Sequence, residues 1–217
     1  MDFLYYLSIV SGLTPFILGL ILFRKLNTAL KLLLLLFGIG LLFDAFGYYL
    51  YFFTRFRSNV LLFHFYTLLE CSLFIFIFSF WQNDLKLKRV LRIIIPGFAF
   101  LWIGSKFFFE SFDQHDNYTT SLECVLLVGI SFRTLYAVNQ ERLKTIFQEP
   151  RLWISAAVLI YFSANLLTFA LGNIIVNWGF HHSVVNIISN LLYAGGFLCL
   201  HPRLNYGGLL SPARLFF

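Results

Sequence analysis

An all-α polytopic membrane protein, a bundle of seven transmembrane helices, is the fold this sequence predicts, and three observations predict it. Of 217 residues, 59% are apolar and only 12% are charged, whereas a soluble domain has about 45–50% and about 25%. The mean hydropathy is +0.80. The apolar residues fall in seven long runs, each near the roughly 20 residues that carry a helix across a hydrocarbon core of about 30 Å. Together these exclude a soluble domain, a disordered chain and a disulfide scaffold. Transmembrane β-strands would be about 10 residues long with strict alternation, and these runs are longer and continuous.

Charges and turn residues bound the runs. The first helix covers Phe3–Phe23 and stops at Arg24 and Lys25. No basic stretch or small-residue cleavage site precedes it, so it is expected to be an uncleaved span. The second covers Ala29–Phe53. The third runs over Asn59–Trp81, before the polar Gln82-Asn83-Asp84. The fourth is Val90–Phe109, after Lys86, Lys88 and Arg89. The fifth is Tyr118–Val138, the sixth Leu152–Ile175 and the seventh His182–Leu200. The seven-helix domain thus occupies residues 1–200. A short irregular cytoplasmic tail, 201–217, carries Pro202, Gly207, Gly208 and Pro212.

Basic residues set the orientation. Thirteen of the 16 Lys and Arg residues fall on one side: Arg24, Lys25, Lys31, Lys86, Lys88, Arg89, Arg92, Arg133, Arg142, Lys144, Arg151, Arg203 and Arg214. Arg55, Arg57 and Lys106 fall on the other. The positive side of a membrane protein is cytoplasmic, so the N-terminus is expected outside and the C-terminus inside. The net charge of +6 is then a topology signal, and no nucleic-acid partner is implied. Tyr5, Tyr6, Tyr49, Tyr51, Trp81 and Trp178 suit the interfacial aromatic belts.

The chemistry lies in polar residues at membrane depth. At about 1.5 Å of rise per residue, Glu70 is about 16 Å from the outer surface and Asp44 about 14 Å. His64 and Glu123 are each about 8 Å deep, Asn165 about 15 Å, and Asn186 and Asn190 about 6 and 12 Å. His182, Asn186, Ser189, Asn190 and Tyr193 share one face of the last helix. Tyr161, Asn165 and Thr168 share a face of the sixth, Tyr66, Thr67 and Glu70 lie together on the third, and Asp44 and Tyr48 are one turn apart on the second. A charge at the centre of the bilayer costs about 2.5–3.5 kcal/mol on insertion scales. Three carboxylates without a cation at their depth therefore have three options. They are protonated, they face a wet cavity, or they hold a cation.

Each group also has a structural reading. Asparagines join membrane helices by hydrogen bonds worth about 0.6 kcal/mol, which alone accounts for Asn165, Asn186 and Asn190. His64 reads as a satisfied helix-interior residue or as a proton relay or ligand. His181 and His182 read as interfacial residues, His115 as solvated. Asn117-Tyr118-Thr119 forms a glycosylation triplet. Cys71, Cys124 and Cys199 lie in apolar runs without close pairing and read as packing residues. No metal set and no cofactor is expected. The tripeptide Leu-Glu-Cys recurs at 69–71 and 122–124, but the flanks match poorly and coincidence is the preferred reading. A lysine deep in the last helix, as a retinal Schiff base requires, is absent from the sequence.

The segments Leu122-Glu123-Cys124-Val125-Leu126-Leu127 and Leu159-Ile160-Tyr161-Phe162-Ser163-Ala164-Asn165-Leu166-Leu167 resemble those of uncharacterised seven-helix membrane proteins common in Bacteroidota. The resemblance implies a bacterial inner membrane and brings no activity with it. By fold-level analogy, such bundles resemble the membrane-sensor regions of signalling kinases.

The expected function is a membrane binding or sensory module. Its outward-facing polar cavity takes a small ligand, cation or proton, with Asp44, Glu70, Glu123, Asn165, Asn186, Asn190 and His64 as candidate binding residues. The lipid bilayer is its medium, and a separate cytoplasmic signalling protein its candidate partner. A small proton- or cation-coupled transporter or channel is the alternative. An intramembrane lipid-directed enzyme is the second, with no catalytic residue assigned.

Overall fold

The computed structural model describes residues 2–53, 60–108, 110, 112, 117–141, 146–171 and 178–200. Seven α-helices and no strand occur among them: α1 Asp2–Ile21, α2 Thr28–Phe53, α3 Val60–Trp81, α4 Leu85–Phe108, α5 Asn117–Gln140, α6 Pro150–Leu171 and α7 Trp178–Leu198. Short 3-10 turns at Phe23–Lys25 and Ile146–Gln148 help join them. Five stretches are long and apolar enough to cross a membrane: Thr28–Gly47, Leu61–Trp81, Leu85–Phe108, Tyr118–Gln140 and Pro150–Leu167. The apolar stretches of the first and last helices, Tyr6–Ile21 and Ser183–Leu198, are shorter. The tail 201–217, Arg55, Arg57, His115, Arg142 and Lys144 lie outside the described residues, as do the side chains of Tyr5, Tyr48, Tyr51, Asn117, Thr168, Trp178, His181 and His182.

Local chemistry sets the helix starts. Asn27 Oδ1 accepts the Leu30 N–H at 2.9 Å, capping α2 by satisfying a donor that has no partner within the helix. Asp84 Oδ1 accepts the Lys86 N–H at 2.8 Å. This cap starts α4 at Leu85, five residues ahead of the predicted Val90. The charge run Lys86–Arg89 is therefore helical rather than loop, since long cationic side chains leave a helix and reach the aqueous layer. Pro150 opens α6, a position where its missing N–H costs nothing.

The packing closes on itself. Starting from α1, neighbours in contact follow the order α2, α3, α5, α6 and α7, and α7 returns to α1. The α4 helix lies outside this ring, mainly against α3. Close helix approach needs small residues. A Cβ on Gly19 would stand 2.6 Å from Leu34 Cδ1, and one on Gly196 would stand 2.9 Å from Ile154 Cγ1. The interior is asymmetric along the bundle. Leu30, Leu33, Ile75, Ile77, Phe78, Leu127, Ile154 and Phe197 are fully buried. They gather toward the end where the basic loops meet. At that end Gln82 Nε2 donates to Thr134 Oγ1 at 3.1 Å, linking α3 to α5. Asp44, Glu70 and Glu123 lie away from that end of the bundle.

Candidate functional site

Glu70 is the centre of a polar cluster contributed by five helices. Tyr66, one turn earlier on α3, donates its hydroxyl to Glu70 Oε1 at 3.2 Å. The α2 backbone comes close because residue 40 is glycine. A Cβ there would lie 3.1 Å from the Tyr66 hydroxyl. Phe43 sets its ring against Tyr66, centroids 5.5 Å apart, and Asp44 lies within electrostatic range of both Tyr66 and Glu70. From α6, Tyr161 and Asn165 share a side-chain hydrogen bond, and Tyr161 is in range of Glu70 and Glu123. From α7, Tyr193 is in range of Glu70 and Tyr161. Its ring stands edge-on to Phe37 of α2, centroids 5.0 Å apart. Thus α7 reaches α2 through its aromatic rings, although its main neighbours are α1 and α6.

The recurring tripeptide contributes to this cluster twice. Cys71 lies within electrostatic range of Glu70, Glu123 and Cys124, so the two Leu-Glu-Cys segments meet across the α3–α5 contact. Whatever the origin of the recurrence, it places like groups together. Cys71 and Cys124 are fully buried free thiols, and Glu123 is buried beside them.

Accessibility grades across the cluster. Asp44 is exposed, Tyr66, Glu70, Tyr161 and Asn165 are half-buried, and Tyr193 and Glu123 are buried. The three carboxylates therefore run from the bundle surface at Asp44 to its interior at Glu123. Toward the basic end stands an apolar floor. There Phe74 and Phe162 meet edge to face with centroids 5.7 Å apart, backed by Ile75 and Phe197. Among the described residues, neither Asp44 nor Glu70 forms an ion pair with a lysine or arginine. Carboxylates with tyrosine hydroxyls and aromatic faces around them can take up a proton or bind a ligand that carries positive charge.

Other candidates lie apart from this cluster. Asn190 Nδ2 donates to Ser11 Oγ at 3.0 Å, joining α7 to α1. Gly12 lies beside that contact, where a Cβ would make an ordinary 3.7 Å contact with Asn190 Nδ2. Asn186, one turn earlier, is half-buried. His64 belongs to a second cluster at the start of α3, the end of α4 and the start of α5. Lys106 Nζ lies 2.6 Å from His64 Nδ1 and 2.9 Å from Glu110 Oε2. Trp102 Nε1 donates to the His64 carbonyl at 3.1 Å.

Glu110 is the residue that sequence reasoning missed. It accepts the Tyr118 N–H at 2.6 Å, the Thr119 N–H at 3.1 Å and the Thr119 hydroxyl at 2.7 Å. It thereby caps α5 from outside the helix. Burial alone would raise its pKa. The hydrogen bonds from Lys106 and Thr119 and the Lys106 charge outweigh that effect and hold the carboxyl below its ordinary value. The signal in the sequence was the pair Lys106 and Glu110, four residues apart at a helix end.

Comparison with known proteins finds no matching family model, no matching curated protein and no matching solved structure.

Proposed function

We propose that this chain spans a bacterial inner membrane seven times, with its N-terminus outside, and serves as a binding or sensory module. Its ligand is a proton or a small cationic molecule, taken into the recess around Glu70 from the outer side. A separate cytoplasmic signalling protein reads the basic face. One observation carries this reading. Glu70 is hydrogen-bonded by Tyr66 and approached by Tyr161, Tyr193 and Asp44, above the apolar floor of Phe74, Phe162 and Phe197. A recess closed on one side favours binding over passage, which is why the transporter reading ranks second.

Thermal unfolding of the purified protein in detergent, scanned from about pH 5 to about pH 9 and repeated with sodium, potassium and tetraethylammonium chloride, tests it. Ligand binding to the native state raises the melting temperature by mass action. The wild-type protein is expected to respond to pH or to one of these cations, and Glu70→Gln to lose that response while still melting cooperatively. An identical response in both proteins would remove Glu70 from the site. Ion flux in proteoliposomes above the empty-liposome rate would transfer the assignment to the transporter reading.

A further inference from the structure

A second surface, formed by different residues, lies in the groove between α3 and α4 near the basic end. Phe76 and Phe80 sit one turn apart on α3, with ring centroids 5.0 Å apart in a T-shaped pair. Lys88 and Arg92 sit one turn apart on α4. The Lys88 ammonium lies 5.8 Å from the Phe80 centroid and the Arg92 guanidinium 5.9 Å from that of Phe76. The antiparallel helices thus form a ladder of two cation–aromatic rungs. Arg92 is exposed and Lys88 half-buried. Arg92 lies about 10 Å along α4 from its start.

Among the described residues, no carboxylate pairs with Lys88 or Arg92. The acids at the same end are occupied. Arg151 holds Glu141 at 2.6 Å and Glu149 at 2.7 Å, and Asp84 caps α4. A guanidinium in the first two turns of a membrane helix extends to the headgroup layer, where lipid phosphates stand. The planar guanidinium binds phosphate through two parallel hydrogen bonds, and the ammonium one turn away adds a point charge. Beyond Arg92 at the same helical spacing come Pro96 and Phe100, both exposed. The stripe therefore reads cation, cation, apolar, apolar, which is the order of a phospholipid from headgroup to chain.

We infer that the α3–α4 groove is a binding site for one anionic phospholipid, its phosphate held between Lys88 and Arg92 and its acyl chain laid along Pro96 and Phe100. The inference requires only that this end of the bundle meets a bilayer surface, and it stands or falls apart from the Glu70 recess.

Native mass spectrometry of the full-length protein in neutral detergent tests it, with phosphatidylglycerol and phosphatidylcholine as probes. The wild-type protein is expected to retain phosphatidylglycerol in preference to phosphatidylcholine. The double variant Lys88→Gln/Arg92→Gln is expected to bind it roughly thirtyfold more weakly, the loss of two juxtamembrane cations. Lys31→Gln removes another exposed cation that lies over a ring, 5.2 Å from Phe23, and is expected to leave binding unchanged. Equal retention of the two lipids overturns the site. So does an equal loss in Lys31→Gln, which would mean diffuse attraction, or displacement of the lipid by millimolar inorganic phosphate. Should the double variant fail to fold, Phe76→Leu/Phe80→Leu removes only the rings. Weaker retention of phosphatidylglycerol there, with the rings no longer holding the two cations in place, supports the site, and retention unchanged in both that variant and Arg92→Gln overturns it.

Discussion

The Lys106 ammonium stands 2.6 Å from Nδ1 of His64, across the α3–α4 contact. An ammonium has donors only, so in this contact the imidazole nitrogen is the acceptor. Lys106 also pairs with Glu110 at 2.9 Å, and both side chains are almost wholly buried. Removing one partner of a buried pair strands the other, at about 3–5 kcal/mol. Lys106→Met is therefore expected to destabilise the protein by about 3 kcal/mol, since Glu110 keeps its bonds to Tyr118 and Thr119. Chemical unfolding in mixed micelles measures this. A loss no greater than that of the exposed substitution Lys86→Met would show that the pair contributes nothing.

The same corner predicts an acid limb. Glu110 titrates below its ordinary value in the folded protein. Its contribution is therefore complete above the unfolded carboxyl value of about 4.3. It is lost as pH falls through the lower folded value. Melting temperatures between about pH 7 and pH 3 should fall more steeply in wild type than in Glu110→Gln. The variant starts lower because it has lost its charge partner. Parallel curves would contradict the assignment.

Glycine positions divide into two classes. A Cβ at Gly196 would stand 2.9 Å from Ile154 Cγ1, a stiff branched side chain, and 3.5 Å from the Pro150 carbonyl oxygen. Gly196→Ala should cost about 1–3 kcal/mol through overpacking of α6 against α7. Nothing lies within 4 Å of a Cβ at Gly97 or Gly129. Alanine there should be neutral or stabilising by up to about 1 kcal/mol, through helix propensity. One unfolding series ranks all three, and equal effects would refute the close α6–α7 approach.

Within the recess, Tyr66→Phe is expected to remove the hydrogen bond to Glu70 while keeping the ring against Phe43. The stability change should be about 1 kcal/mol, and the pH response of the melting temperature should shift along the pH axis. A variant whose pH response superimposes on that of wild type would show that the hydroxyl does not govern Glu70.

Seven helices were legible because an apolar run of this length has few other fates, and predicted and observed ends mostly agree within a few residues. The start of α4 was not legible, since a charge run resembles a loop until the Asp84 cap is seen. Depth placed Asp44, Glu70, Glu123 and Asn165 in one layer, and Tyr161, Tyr193 and Tyr66 assemble with them. Depth could not say which helices are neighbours. His64 shares its level with Glu123 yet turns toward Lys106, and Asn190 turns toward Ser11. Glu110 escaped because it lies past a helix end, where a carboxylate reads as solvated. Its capping of α5 becomes visible only when the corner closes.

The floor beneath Glu70 has a consequence for traffic. Phe74, Phe162 and Phe197 lay a packed apolar layer beneath the polar cluster. On the proposed binding reading, that layer would turn a ligand back toward the side from which it came. News of its arrival would have to travel through the lean of α3, α6 and α7 toward their basic ends, as a lever passes on a push.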